Sequence, residues 1–172
     1  SALGGESFFQ TTATAGPNGG FVDLAMGLPG DSVILRSTAT DSWILAHSSW
    51  IASSMGITID PRWGGMKSLI GGEGAFLIHT SGEGIMLVGA YGALEVVKLA
   101  AGERIVVDSG HMVAVNTSVK MTLKKAADGW KNSLFSGEGL VFEFEGPGDV
   151  YVQTRNPNWF DRFAPATHSH AR

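Results

Sequence analysis

The sequence predicts an all-β fold with internal repeats and only a few short helical turns. Three observations carry this. Nearly every apolar stretch is four to six residues long and closes on a turn residue, the mark of short strands. Glycine makes up 24 of 172 residues, about twice its usual ~7% share, and is spread at intervals as tight turns require. One motif recurs: Gly71-Gly72-Glu73-Gly74-Ala75-Phe76 returns as Ser136-Gly137-Glu138-Gly139-Leu140-Val141, with a degenerate earlier copy in Gly4-Gly5-Glu6-Ser7-Phe8-Phe9. Repetition at a fixed period signals repeated architecture.

Taken in order, Phe8–Thr12 is β-rich in type, and Ala15–Gly20 is a loop on turn chemistry alone. Phe21-Val22-Asp23-Leu24 is expected as a strand. Leu28-Pro29-Gly30-Asp31 is expected as a tight turn, proline presetting φ and glycine taking φ > 0 after it. Ser32–Leu35 resumes as a strand. Two longer stretches then align without a gap: Trp43–Ala52 with Arg104–Val113, each a strand, a small-residue turn and a strand. Ile57-Thr58-Ile59 aligns with Val119-Lys120-Met121. Val119, Met121 and Leu123 alternate with Lys120, Thr122 and Lys124, so one face is buried and one is wet. Val141–Glu145 alternates likewise, with Phe142 and Phe144 inside. Phe76-Leu77-Ile78 and Ile85-Met86-Leu87-Val88 are apolar on both faces, as inner strands are, or strands covered by another subunit. The helical turns fall just before each glycine motif, at Arg62–Ile70 and Asp128–Phe135, too short and glycine-rich to stand alone.

These readings give a single all-β domain over residues 1–160. Its units span about 4–70 and 71–135, with a half unit at 136–155 and a C-terminal tail at 161–172. A half unit leaves strand edges to be capped, by a partner subunit or by residues upstream of Ser1.

Composition removes several function classes. Apolar residues make up 44% and charged residues 16%, which excludes a solvated, disordered chain and leaves apolar surface for an oligomer to cover. The formal net charge is −4 and no basic cluster exceeds Lys124-Lys125, so nucleic acid is disfavoured as a partner. With no cysteine there is no disulfide, thiol nucleophile or thiolate-bound zinc, and a reducing compartment fits. No apolar run reaches the ~18–20 residues of a membrane helix, and nothing at Ser1 reads as a signal peptide.

Together, Gly71–Gly74, Val107-Asp108-Ser109-Gly110-His111, Ser136–Val141, and Gly146-Pro147-Gly148 through Tyr151-Val152-Gln153-Thr154-Arg155 resemble the altered-inheritance-of-mitochondria-24 family. It groups mitochondrial biogenesis proteins with bacterial and archaeal relatives of unknown function. The resemblance runs from Gly4 to about Pro157 and is most specific in its last stretch. It implies a fold like that of the tryptophan-RNA-binding attenuator (TRAP-like), a double-stranded β-helix built by duplication and assembled as trimers. Family members usually carry a further β-segment before the first Gly-Glu-Ser motif, at which this chain begins. The resemblance brings no catalytic residues and no cofactor. It implies a non-enzymatic oligomeric scaffold or interaction protein of prokaryotic, cytoplasmic type, with peripheral membrane contact as an option. The alternative is a small-molecule-binding protein with pockets at subunit interfaces; a cupin-type metalloenzyme is more remote.

Candidate residues fall into three groups. Glu6, Glu73 and Glu138 could form a ring of carboxylates around a cation or cationic ligand, or each could bond a backbone N–H where a strand begins. His47, His79 and His111 lack the His-x-His spacing of a metal-holding barrel, so no metal site is expected. Ser109, in Asp108-Ser109-Gly110-His111, reads as a turn residue rather than a nucleophile, and His111 beside Asp108 reads as a structural hydrogen bond. The apolar turns hold Trp63, Leu69 and Ile70 in one copy and Trp130, Leu134 and Phe135 in the next. They either plug the ends of the β-structure or form a rim that docks a partner or a membrane, with Lys67 and Lys131 placed for an anionic headgroup.

Overall fold

The computed structural model describes residues 10–60, 77–125 and 140–157. These form twelve strands: β1 (Ser32–Ser37), β2 (Trp43–Ala46), β3 (Trp50–Ser53), β4 (Ile57–Asp60), β5 (Leu77–Gly82), β6 (Gly84–Gly89), β7 (Leu94–Leu99), β8 (Arg104–Asp108), β9 (Met112–Asn116), β10 (Lys120–Lys125), β11 (Leu140–Glu145) and β12 (Gly148–Gln153). Two 3-10 turns, His47–Ser49 and Ser109–His111, join β2 to β3 and β8 to β9. The chain is all-β, and every ladder between these strands is antiparallel.

A six-stranded sheet, β4-β5-β2-β9-β12-β7, forms the middle layer, and two three-stranded sheets, β1-β6-β3 and β10-β11-β8, cover its opposite faces. Period-two alternation explains the layering. In β2, Trp43 and Leu45 point into a core with Leu35 of β1 and Met86 and Val88 of β6, while Ile44 between them points the other way, to Phe142 and Phe144 of β11. Ile78 and Leu77 of β5 divide likewise, so β5 is apolar on both faces because it is an inner strand. In β6 the side chains of Met86 and Val88 are fully buried, while Ile85 faces solvent. The buried Thr80 costs little, because its hydroxyl donates to Trp43 O at 3.0 Å and accepts from Trp43 N at 3.2 Å.

The pairings of β1–β6 recur in β7–β12. β1–β6, β3–β6, β2–β5 and β4–β5 correspond to β7–β12, β9–β12, β8–β11 and β10–β11. Even the irregularities coincide: one extra residue bulges from β3 at Ile51 and from β9 at Val113. Bulges and 3-10 turns both match at a spacing of 62 residues, which sets Trp43 against Ile105. The gapless alignment of Trp43 with Arg104 is one residue short, and a one-residue slip exchanges the faces of a strand. The alignment of Ile57 with Val119 agrees with the structure.

Two local expectations change. Phe21–Leu24 has strand-forming residues but pairs with no strand among the described residues, and Phe21 is 93% exposed. A strand sequence without an edge to join forms no ladder. Leu28–Asp31 is not a φ > 0 turn, since Gly30 does not adopt positive φ. Instead Gly92 N donates to Pro29 O and Asp31 N to Gly92 O, and a Cβ at Gly30 would overlap the carbonyl oxygen of Ala90. Glycine is needed there for backbone approach. The corners Gly82-Glu83-Gly84 and Gly146-Pro147-Gly148 take the chain from one sheet to another; Gly82, Gly84 and Gly148 have φ of +92°, +155° and +140°. The helical turns expected before the glycine motifs lie outside the described residues, as do the glycines and glutamates of those motifs.

Candidate interaction surface

The two halves meet at one ladder, β2 against β9, in the register Trp43↔Asn116, Ile44↔Val115 and Leu45↔Ala114. Polar contacts close its end. Thr117 N donates to Ser42 O at 3.0 Å, the hydroxyls of Ser42 and Thr117 lie 3.1 Å apart, and the Asn116 amide donates to the Asp41 carboxylate. All of β9 is buried, and so are the first three residues of β2.

The corresponding strands, β3 and β8, differ. Each pairs on one side only among the described residues, β3 with β6 and β8 with β11. β3 is half-buried throughout. In β8, Val106 takes the place of Ile44 and is 44% exposed where Ile44 is 4% exposed. Met55, just beyond β3, takes the place of Thr117 and is also exposed. Neither edge is guarded in the middle by the charges or prolines that keep strand edges apart. β3 reads Trp-Ile-Ala-Ser, and β8 carries its charges, Arg104 and Asp108, only at its two ends. Of the other edge strands, β1, β7 and β10 carry charge within the strand, at Arg36, at Glu95 and Lys98, and at Lys124, while β4 carries it only at its last residue, Asp60. Ile34 and Val96, at one position of β1 and β7, are exposed in both halves.

A cleft of about 300 Å³ adjoins β3, lined by Met26, Leu28, Trp50, Ile51, Tyr91 and Gln153 among others. Its floor is tied down by polar bonds. The Gln153 side chain accepts from Tyr91 N at 2.8 Å and donates to Gly110 O at 2.9 Å. The His111 imidazole donates from Nδ1 to Gln153 O at 2.7 Å. Asp108 caps the 3-10 turn by accepting from Gly110 N at 3.0 Å, and Asn156 reaches the same carboxylate oxygen at 3.4 Å. A Cβ on Gly110 would overlap the Asn156 amide. The Asp108–His111 segment is thus a structural clamp on Gln153 and Asn156, at and just after the end of β12, with His111 bonded to Gln153.

Glu6, Glu73 and Glu138, and the apolar turns with Trp63, Leu69, Ile70, Trp130, Leu134 and Phe135, all lie outside the described residues. His47 and His111 sit in the two 3-10 turns and His79 in β5. Among the described residues no three His, Cys, Asp or Glu side chains gather as metal ligands, and no helix is long and apolar enough to cross a membrane. Val106 and Met55 were missed by the sequence reading; setting Ile105 against Trp43 places Val106 opposite Ile44 but carries no signal of its exposure. Among the described residues, two groups are shifted from their ordinary pKa values. A hydrogen bond from Lys124, 2.7 Å away, lowers the Glu143 pKa, and burial chiefly, with Asp149 nearby, raises that of Tyr151.

Fold and surface together define an all-β protein of two matched six-strand halves whose β3 and β8 pair on one side only among the described residues. The chain belongs to the Mitochondrial biogenesis AIM24 family, whose model matches residues 1–155. It is similar to an uncharacterized protein of Streptococcus pyogenes serotype M6, at 29% identity over 163 residues, covering 93% of this chain and 64% of that protein. It also resembles the X-ray crystal structure of a Streptococcus pyogenes protein, with a TM-score of 0.66 and 24% identity over 81% of this chain and 61% of that one. The chain spans just under two thirds of the length of these relatives.

Proposed function

We propose that the protein is a non-enzymatic, self-assembling scaffold that presents repeated apolar surface to a protein partner. The duplicated, double-stranded β-helix (TRAP-like) reading of the fold supports assembly, as do the matching pairings of β1–β6 and β7–β12. A homotrimer is the assembly the family resemblance implies. The observation that carries the scaffold reading is the recurrence of an exposed apolar side chain, Ile34 and Val96, at one position in both halves. An oligomer multiplies that position around its surface. The turns with Trp63, Leu69, Ile70 and Trp130, Leu134, Phe135 supply a second set of contacts in this reading, and a peripheral membrane is the competing surface. Pull-down and liposome sedimentation of wild type against Trp63→Ala plus Trp130→Ala test it. Loss of a protein partner with unchanged lipid binding supports the reading; no change in either removes the turns from it.

The cleft beside β3 favours a second reading, a small-molecule-binding protein with sites at subunit seams. The ring of Glu6, Glu73 and Glu138 would select a cationic ligand in that case. A metabolite that raises the melting temperature in proportion to the logarithm of its concentration supports this alternative.

A further inference from the structure

We propose that the cleft beside β3 binds a small apolar monocarboxylate, its body against Met26, Trp50 and Ile51 and its carboxylate held by Arg155. The inference rests on the small-molecule reading above and deepens it by naming the class of ligand and the side chain that selects it.

The duplication shows why a cleft stands there. The register that pairs Ser32 with Gly89 pairs Leu94 with Gln153, so Gln153 holds in β12 the place of Gly89 in β6. Likewise Gly110, the middle residue of one 3-10 turn, matches Ser48, the middle residue of the other. In the second half this place is closed. The Gln153 amide donates to Gly110 O at 2.9 Å, and Asn156 fills the space a Gly110 side chain would take. In the first half Gly89 has no side chain to send across to Ser48. Met26 Sδ and Ile51 Cδ1 lie where a Cβ on Gly89 would stand, so apolar atoms replace the closing amide. The same step in the fold seals one half with hydrogen bonds and leaves an apolar-walled cleft in the other.

The walls select the body and Arg155 the head. Among the described residues that line the cleft none is charged, and the Gln153 amide is already engaged by Tyr91 N and Gly110 O. An apolar body fits such walls. About 300 Å³ is the share of about ten waters, which sets the ligand at about ten non-hydrogen atoms. Arg155 N donates to Tyr91 O at 3.2 Å, and the guanidinium lies 5.4 Å from the centroid of the Tyr91 ring, so a cation stands beside the cleft wall. Arg155 is exposed and enters no ion pair among the described residues. Its planar fork matches a carboxylate through two parallel N–H donors, and one cation balances one carboxylate. The backbone amides of Ala25–Leu28 bond no backbone group among the described residues and remain as further donors.

Isothermal titration of the full chain with naphthoate and with octanoate tests this, and the tighter of the two tells an aryl acid from a fatty acid. Naphthamide and naphthylmethylamine are the neutral and cationic controls. Naphthoate or octanoate should bind roughly tenfold more tightly than either control. Arg155→Gln should remove that preference. Ala25→Trp and Ser48→Trp, both at exposed positions of the lining, should fill the cleft and abolish binding, with circular dichroism showing which variants stay folded. No heat with either acid at millimolar concentration, or acid affinity unchanged in all folded variants, overturns the inference. A preference for the cation also overturns it and leaves the small-molecule reading standing, with the glutamates as its site. No rise in melting temperature with any compound of a metabolite screen overturns both.

Discussion

β2 and β8 occupy matching places in the two halves and live in different surroundings. β2 has neighbours on both sides, β5 and β9, and its Ile44 lies in a core with Phe142 and Phe144. β8 has β11 alone among the described residues, and its Val106 stands in solvent. The same contrast separates β9, buried throughout, from β3, half-buried throughout. Two strands of one kind, bent by the same bulge or followed by the same turn, thus differ only in whether a second half lies alongside. The difference teaches that burial here is set by the neighbouring half as much as by the half that owns the residue.

The largest effect should come from the buried member of each pair. Ile44→Ala is expected to lose about 2–5 kcal/mol of stability, the usual range for emptying a packed aliphatic site, as read by urea denaturation. Val106→Ala in dilute, dissociated protein should change it by no more than about 0.5 kcal/mol, as surface changes do. Equal losses at both positions would break the contrast. Gly82→Ala comes next. It forces a side chain onto a residue at φ +92° and into the carbonyl oxygen of Gly56, so about 1–3 kcal/mol should go, visible as a lower melting temperature. Gly102→Ala, with a similar φ of +80° but no atom within 4 Å, should lose less and so separate strain from overlap.

Two titrations sharpen the picture at smaller scale. Tyr151 packs edge-on against Trp43, with ring centroids 5.6 Å apart, in the core that the halves share. Its pKa is raised above 10.0, so the neutral phenol is the form that folding favours. The stability it contributes is complete below the unfolded value and is lost as pH rises through the folded one. Unfolding curves above about pH 10 should fall more steeply for wild type than for Tyr151→Phe. Glu143, at the surface beside Lys124, has the opposite sign: its pKa lies below 4.5, so its small contribution is present above that value and lost on acidification through the folded one. Glu143→Gln should remove that slight acid dependence, and added salt should mask it.

The strand content was legible because alternation survives in single segments. Val119–Lys125 and Leu140–Glu145 each show which face is buried without reference to anything distant. The glycine corners are local for a related reason: Gly82–Gly84 and Gly146–Gly148 bend the chain at matching places, each through its own residues. What could not be read was partnership. Phe21–Leu24 has the composition of a strand, and composition does not supply an edge to pair with. Gly30 looked like a turn glycine, yet its requirement comes from Ala90, sixty residues away in sequence. Likewise Ile44 and Val106 are alike as residues, and only the ladder on β2 tells them apart. The candidate turns around Trp63 and Trp130 were found by repetition, which locates a segment and says nothing of what it touches.

The sheet order bears on how the chain reaches this state. Of the ladders among the described residues, only β4–β5 and β10–β11 join strands that follow one another in the order given. β1 waits for β6, β2 for β9 and β7 for β12, with the Trp43↔Asn116 pairing bridging much of the chain. Closing such distances before contacts form slows folding, and places this chain with the slow, non-local β topologies rather than with fast-folding bundles. During synthesis the first half emerges before β9 is made, so β2 then lacks the neighbour it has in the finished fold. That interval, more than the finished fold, is when the chain is most exposed to pairing with the wrong copy.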